Sequence, residues 1–206
     1  MNNYDDRPRS RLVIGSSHAR YVGEISDTVT VSISGARFQD LSKYAKSIEG
    51  KQILVQKDNI VVIAGGNDLD EYCNKFNRES QDDIIERHLK NLKTLISDIR
   101  LGNPYCKIDI LSPLPRPARD RKELRLLFNK QAKSFFGQFS SVDYINIEKT
   151  FCQPQSQDTD TELFDNKGIH LKIETKHKLI ARTCEQLGRR RSNNKGILLL
   201  RKKNQI

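Results

Sequence analysis

The stretch NIVVIAG, residues 59–65, is nearly continuous in valine and isoleucine and runs directly into glycine, asparagine and aspartate. A short apolar run without polar alternation is typical of a strand buried on both faces of a parallel sheet, because helices cover both faces of such a sheet. The glycines and the asparagine mark a turn at the end of this strand. The stretch therefore indicates an α/β architecture, in which the residues that follow each strand are of special interest.

Four other runs have the character of strands: RLVIG at 11–15, TVTVSI at 28–33, CKIDILS at 106–112 and VDYINI at 142–147. Helical patterns separate these runs from one another. The alternation predicts an α/β protein, a three-layer α/β/α sandwich around a five-stranded, mainly parallel, doubly wound sheet.

The clearest helical pattern covers residues 80–100, SQDDIIERHLKNLKTLISDIR. Ser80 and Asp83 form a capping box at its start. Apolar residues recur on one face of this helix at Ile85, Leu89, Leu92 and Ile96. Two more helices are predicted over about 119–139 and 173–187, and the polar segment 152–164 is expected to be a surface loop.

The 206 residues carry a formal net charge of +10, which is concentrated at the carboxyl end. From residue 189 onward there are seven basic residues and no acidic one. We therefore divide the chain into a tail at 1–10, one folded domain at 11–188 and a basic tail at 189–206. Such a tail suits an anionic partner such as RNA, DNA or a membrane surface, and it is equally compatible with a solubilising segment. Its candidate anion-binding residues are Arg189, Arg190, Arg191, Arg201, Lys202 and Lys203.

The four cysteines, at 73, 106, 152 and 184, lie far apart and form no CxxC pair. We therefore expect no zinc site and no cofactor. The first residues hold no apolar leader segment, and no run reaches the length of a membrane span. These features predict an intracellular protein with free thiols, in which Cys106 is a small core residue.

Polar residues and glycines follow three strands of the predicted sheet: GSSH at 15–18, SGAR at 34–37 and GGND at 65–68. Ligands of open α/β sheets bind beyond the carboxyl ends of the strands. These ends bring a hydroxyl group, a glycine N–H and a side-chain amide to one edge. A reactive serine also needs a base, for which His170 in LFDNKGIHLK is the candidate, and N–H groups that stabilise an oxyanion.

The ordered blocks resemble those of the SGNH, or GDSL-type, hydrolase superfamily: a Gly-x-Ser near the amino terminus, an isolated glycine, a GxND and a late histidine. GSSHAR, SGARFQDL, VVIAGGNDL, ILSPLPRP and GIHLK are especially similar to the esterase-like domains of some non-LTR retrotransposons. They are also similar to the related, catalytically inactive domain of the insect germ-plasm protein Oskar, which binds RNA. The resemblance covers roughly residues 11–187.

The resemblance implies a role for each block. Ser17 stands where the superfamily has its nucleophile, and His170 is the implied general base. The backbone N–H groups of Ser17 and Gly35 and the side-chain amide of Asn67 are the implied oxyanion hole.

The acidic member of the implied triad is the point at which this chain departs from the superfamily. An aspartate commonly stands three residues before the histidine, where this chain has Lys167, and the nearest acidic residue is Asp165. Either Asp165 or a backbone carbonyl then orients the imidazole of His170, whose orientation matters greatly for rate.

Simpler interpretations of the same residues stay open. Ser17 also suits a helix cap, Asn67 an Asx turn and Gly35 an ordinary turn. We expect Asp68 to cap a helix. The remaining histidines, His18, His88 and His177, are expected to be structural or solvent-facing, and Arg20 and Arg37 to be surface charges or contacts to an anionic ligand.

Two functions follow from these observations. The first is a serine esterase of a retrotransposon-derived protein, which cleaves a small carboxylic ester, an acetyl ester or a lipid, through an acyl-enzyme on Ser17. The second is a module of the same fold with weak or absent catalysis that binds RNA through its basic surface and tail. Lys167 and the tail favour the second function.

Overall fold

The computed structural model describes residues 11–22, 28–74, 79–117, 122–153 and 158–181. Five strands form one sheet in the order β2-β1-β3-β4-β5, and every neighbouring pair is parallel. The strands are β1 Arg11–Gly15, β2 Thr28–Ser32, β3 Asn59–Ile63, β4 Lys107–Leu111 and β5 Val142–Ile145. This arrangement confirms the predicted parallel, doubly wound sheet.

The helices between the strands are α1 Phe38–Lys46, α2 Ile48–Leu54, α3 Gly66–Asn74, α4 Gln81–Gly102, α5 Lys122–Phe136 and α6 Glu148–Phe151. Short 3-10 helices cover Ser17–Val22, Thr161–Leu163 and Ile173–Thr175, and residues 176–181 are α-helical. At the start of α4 the Ser80 hydroxyl oxygen accepts the backbone N–H of Asp83 at 3.2 Å, so the predicted cap is present. The predicted apolar stripe of α4 is buried.

Alternate residues of each strand face opposite sides of the sheet, and this divides the core in two. On one side Ile14 and Val62 pack among apolar residues of α1, α4 and α5. On the other side Val13 and Val61 pack under the 3-10 helix at 17–22, α6 and residues 163–179. Helical layers on both faces complete the predicted three-layer sandwich.

The strand order places a topological switch point between β1 and β3. The chain passes from β1 outward to β2, crosses back to β3 and then continues in the other direction to β4 and β5. At such a point the connections on either side diverge, which leaves a crevice beyond the carboxyl ends of the two strands. The turns after β1 and β3 therefore flank the natural ligand-binding position of this fold.

Several predicted boundaries differ from the structure. Four of the predicted strands extend one or two residues past the last ladder pair, and β4 also begins one residue later than predicted. Helix α5 ends at Phe136 and not at 139, residues 119–121 of that prediction lie outside the described residues, and the region predicted to begin a helix at 173 opens with 3-10 geometry. Helices α1 and α2 were not identified because Ser47 separates two short segments.

The segment 152–164 is not a simple surface loop, since Leu163 and Phe164 are buried. Residues 182–187 of the last predicted helix and the basic tail lie outside the described residues.

Candidate active site

Ser17 lies at the first position of the 3-10 helix that follows β1. Gly15 makes this turn possible, because a Cβ atom there would lie 2.1 Å from the carbonyl oxygen of Ile63. The backbone N–H of Ser16 donates to that same oxygen at 3.0 Å, which holds the turn against β3. Ser17 itself is 5% exposed. Within the described part of the chain, neither its hydroxyl nor its backbone N–H forms a hydrogen bond, so no helix-capping bond occupies the side chain.

Asn67, the second residue of α3, joins the end of β3 to the turn after β2. Its Nδ2 donates to the carbonyl oxygen of Ala36 at 3.0 Å. This bond uses one of the two amide protons and leaves the other for a ligand. Gly35, next to Ala36, has φ of 70°, a left-handed conformation that favours glycine. Among the described residues no hydrogen bond occupies the Gly35 N–H.

Arg116 supports Asn67 from the segment after β4, and the sequence interpretation did not select it. Its Nη1 donates to Asn67 Oδ1 at 2.9 Å and to Asp70 Oδ2 at 2.6 Å. The residue is 4% exposed. Its guanidinium lies against Gly66, where a Cβ atom would stand 2.9 Å from the Arg116 Cζ. The signal for this residue is an arginine between two prolines shortly after a predicted strand, in the block ILSPLPRP, to which no site residue was assigned from the sequence.

The loop that carries His170 is held by Asp165. The Asp165 Oδ1 accepts the backbone N–H of Ile169 at 3.1 Å and that of His170 at 3.3 Å. The Asp165 N–H donates to the His170 carbonyl at 2.8 Å. These backbone donors, Ile169 first, lower the pKa of the Asp165 carboxyl group below its ordinary value.

The structure thus gives Asp165 a different task from the expected triad acid. Its carboxylate bonds to the backbone of the loop, and the described residues show no hydrogen bond between it and the His170 ring. The Nδ1 atom of His170 is buried without a hydrogen-bond partner in that part of the chain. Lys167, at the usual position of the acid, is exposed.

His18 connects the Ser17 turn to the His170 loop. Its ring centre lies 5.6 Å from that of His170, and the backbone of Ile169 interacts with its imidazole and raises its pKa. The residue is 2% exposed. Burial, followed by the positive charge of Arg116, lowers the pKa of His18 from 6.5 to about 3. His18 is therefore a buried, neutral member of the site.

The other polar residues singled out by the sequence lie at its margin or away from it. Asp68 accepts the backbone N–H of Phe38 at 3.2 Å, so it caps the start of α1, across the chain from its own helix. His88 is buried and lies 4.0 Å from Asp68, and His177 is exposed. The Arg20 Nε donates to the Ser17 carbonyl at 2.8 Å.

Metal binding, membrane crossing and the basic tail are the remaining features raised by the sequence. Within the described ranges no group of histidine, cysteine and acidic residues is arranged to hold a metal ion. Among the same residues no helix combines the length and apolarity that a membrane crossing requires. The six candidate anion-binding residues of the basic tail lie outside these ranges.

Comparisons with known proteins identify the fold. No protein family matches the chain, and no curated protein sequence does so. A solved structure described as an acylhydrolase from Bacteroides fragilis superposes with a TM-score of 0.69 at 13% identity, covering 90% of this chain and 89% of that one.

Two esterases give similar results. A carbohydrate esterase family 3 protein from Talaromyces cellulolyticus has a TM-score of 0.60 at 13% identity, over 88% of this chain and 97% of its own. An acetyl-xylooligosaccharide esterase from Geobacillus Stearmophilus has a TM-score of 0.63 at 12% identity, with coverages of 87% and 94%. Similarity at such low identity concerns the backbone and not the chemistry. The chain therefore has the α/β/α fold that these acylhydrolases and esterases share.

Proposed function

We propose that the protein is a serine esterase of the SGNH type that cleaves a small carboxylic ester through an acyl-enzyme on Ser17. One observation carries this proposal: the turn of Ser17 and the loop of His170, more than 150 residues apart in sequence, meet through His18. A nucleophile, a base and unoccupied N–H donors at one crevice are the requirements of acyl transfer.

In the first half of the reaction, the Ser17 hydroxyl attacks the ester carbonyl carbon and gives its proton to His170 Nε2. The resulting tetrahedral oxyanion collapses, the bond to the alcohol oxygen breaks, and His170 returns the proton to that leaving oxygen. Water then attacks the acyl-enzyme with His170 again as base. Collapse of the second tetrahedral species releases the carboxylic acid and restores the Ser17 hydroxyl.

The negative oxygen of both tetrahedral species needs donors that are already in place. The Ser17 and Gly35 N–H groups and the second amide proton of Asn67 are free for this purpose among the described residues. Removal of one such donor typically lowers kcat by about 100- to 1000-fold. Arg116 restrains Asn67 on its far side, so the amide is oriented before substrate binds.

An acetyl ester or a lipid ester is the proposed substrate class. Acetyl esterases and an acylhydrolase among the proteins of the same fold support this choice. We also retain the origin suggested by the ordered sequence blocks, a retrotransposon-derived protein that acts inside the cell.

The test is hydrolysis of p-nitrophenyl acetate, together with labelling by a fluorophosphonate, which reports an activated serine without knowledge of the natural substrate. Ser17→Ala should abolish labelling and His170→Ala should reduce it by at least about 100-fold. Ser34→Ala is the matched control, because Ser34 is an exposed serine in the turn after β2. Equal rates in all four proteins would refute the proposal.

RNA binding is the second candidate function, and the charge of the tail favours it. Seven basic residues without an acidic one follow residue 188, enough for a sequence-independent attraction to phosphates. The full chain should bind single-stranded RNA at low salt and lose affinity steeply as salt increases. Replacement of Arg189, Arg190 and Arg191 by alanine should weaken binding, and an unchanged affinity would exclude the tail.

A further inference from the structure

We propose that His18 takes the place of the triad acid, accepting a hydrogen bond from the Nδ1–H of His170 while the Nε2 of His170 exchanges protons with Ser17. This inference rests on the proposed function and makes His18 a positioning residue, since it acts on the reacting atoms through His170. It gives the site a Ser-His-His arrangement.

The first argument is that the carboxylate nearest to His170 is engaged elsewhere. Asp165 holds the backbone N–H groups of Ile169 and His170. Lys167, at the superfamily's usual acid position, carries no acceptor on its side chain and is exposed. The third member of the arrangement must therefore come from another element.

The second argument is that each of two adjacent imidazole rings has one buried nitrogen atom without a hydrogen-bond partner, and the two nitrogen atoms are complementary. The Nδ1 of His170 and the Nε2 of His18 are both buried and lack hydrogen bonds within the described part of the chain. Buried polar atoms in native proteins are almost always paired. A hydrogen bond between these two atoms would satisfy both of them.

The tautomers needed for this bond follow from the other contacts. The backbone group of Ile169 that raises the pKa of His18 is an acceptor, so the ring nitrogen facing it carries the proton. Because Nε2 is the unpartnered nitrogen, that proton lies on Nδ1, and Nε2 keeps a lone pair. His170 is in the same tautomer when its Nε2 serves as base toward Ser17, so its Nδ1 offers a proton to the lone pair of His18 Nε2.

The separation of the rings is close to that of bonded imidazoles. A linear N–H···N hydrogen bond of about 3 Å places two imidazole centres roughly 5.3 Å apart. The ring centres of His18 and His170 are 5.6 Å apart, with 46° between the planes. Catalytic hydrogen bonds are often longer than ideal in ligand-free proteins, and they shorten in the reacting complex.

The surroundings of His18 keep it in the accepting form. Burial, Arg116, the His170 ring and Arg20 all oppose a positive charge on His18, and its pKa of about 3 leaves the ring neutral at the pH of the reaction. A neutral acceptor stabilises an imidazolium less than a carboxylate does. We therefore expect a smaller contribution to rate than a triad aspartate makes, roughly 10- to 100-fold.

The experiment compares His18→Leu with His18→Gln. Leucine fills the space but accepts no hydrogen bond, whereas the glutamine amide can donate to the Ile169 carbonyl and accept from His170. His18→Leu should lower kcat for p-nitrophenyl acetate about 10- to 100-fold with KM within about twofold, and His18→Gln should recover most of that loss. Equal losses in both variants, or a loss in KM alone, would refute the positioning role.

A nuclear magnetic resonance measurement reads the bond itself in the full chain, with or without turnover. The chain has only four histidines, so each ring can be assigned by a single substitution in protein labelled with 15N-histidine. We expect a coupling between His170 Nδ1 and His18 Nε2 across the hydrogen bond, and its absence from the folded protein overturns the inference. If the coupling is present but the protein neither hydrolyses the ester nor reacts with the fluorophosphonate, the esterase proposal fails while the hydrogen bond stands.

Discussion

Replacement of Arg116 by methionine tests whether Asn67, the proposed oxyanion donor, is held in place by a buried charge. The change removes the guanidinium that bonds Asn67 Oδ1 at 2.9 Å and Asp70 Oδ2 at 2.6 Å, while keeping much of the side-chain volume. Loss of one partner from a buried ion pair costs about 3–5 kcal/mol. Because Arg116 and Asp70 are 4% and 7% exposed, we expect about 3 kcal/mol less unfolding free energy.

The effect on rate should be separate from the effect on stability. Asn67 keeps its bond to the Ala36 carbonyl, so it loses one of two restraints and not its position altogether. Complete removal of an oxyanion donor costs about 100- to 1000-fold, and a partial loss of orientation should therefore lower kcat by about 10-fold, with KM nearly unchanged. The assay combines urea unfolding with p-nitrophenyl acetate kinetics at a temperature where each variant is fully folded.

Arg125→Met is the matched control for this experiment. Arg125 is also a buried arginine, 2% exposed, and pairs with Glu148. It should lose similar stability without a change in kcat. In an Asn67→Ala background, Arg116→Met should lower kcat no further, because coupled residues do not contribute additively. If Arg116→Met destabilises the protein as Arg125→Met does but leaves kcat unchanged, the orienting role of Arg116 is refuted.

Three further predictions concern the two histidines and their loop. His18 takes up a proton near pH 6.5 in the unfolded chain but only near pH 3 in the native protein. The free energy of unfolding should therefore fall as the pH decreases from 6.5 to 3, by up to about 1.4 kcal/mol per pH unit. His18→Leu should flatten this part of the curve, and parallel curves in urea unfolding would contradict the assignment. Asp165→Ala should accelerate hydrogen exchange at the backbone amides of Ile169 and His170, because the ionised Asp165 carboxylate accepts hydrogen bonds from both. The lowered pKa of Asp165 means that these bonds persist until the pH falls below that pKa, where the carboxyl group is protonated. Unchanged exchange rates would mean that the loop is held by other contacts. Lys167→Asp places an aspartate where the resembling superfamily commonly has its acid and should rescue kcat in the His18→Leu background. A further loss of kcat there would show that the loop cannot present a carboxylate to the ring.

The fold was predictable from the sequence because its strongest signals are local. The apolar run at 59–65 can only be buried on both faces, and the alternation of such runs with amphipathic segments leads to a parallel sheet. The candidate site followed from geometry that all such sheets share, since the carboxyl ends of parallel strands meet at one edge. Ser17 and Asn67 could therefore be selected before any coordinates were known.

The supporting contacts of the site could not be predicted in the same way. His18 stands next to Ser17 in sequence, but its burial depends on the loop at 165–171, which no periodicity connects to the first strand. Arg116 depends equally on tertiary contacts, because its partners Asn67 and Asp70 belong to a different βα unit. The sequence left open whether Asp165 or a backbone carbonyl orients His170, and only the structure shows that the Asp165 carboxylate bonds to the backbone of the loop.

Lys167 in place of the usual triad acid, together with a neutral His18, changes how charge is balanced during the proposed reaction. A carboxylate as third triad member neutralises the imidazolium that forms when the serine attacks, whereas a neutral imidazole leaves that charge uncompensated. The nearby cation Arg116 is paired with Asp70, so the oxyanion becomes the natural counterion of the His170 imidazolium. A site of this kind relies more heavily on its oxyanion donors than a conventional triad does. The oxyanion donors and the imidazolium both stabilise the same negative charge, which develops on the carbonyl oxygen of the substrate. Asn67, the proposed side-chain donor, meets this expectation if it is the donor, since its amide is restrained at both its oxygen and its nitrogen.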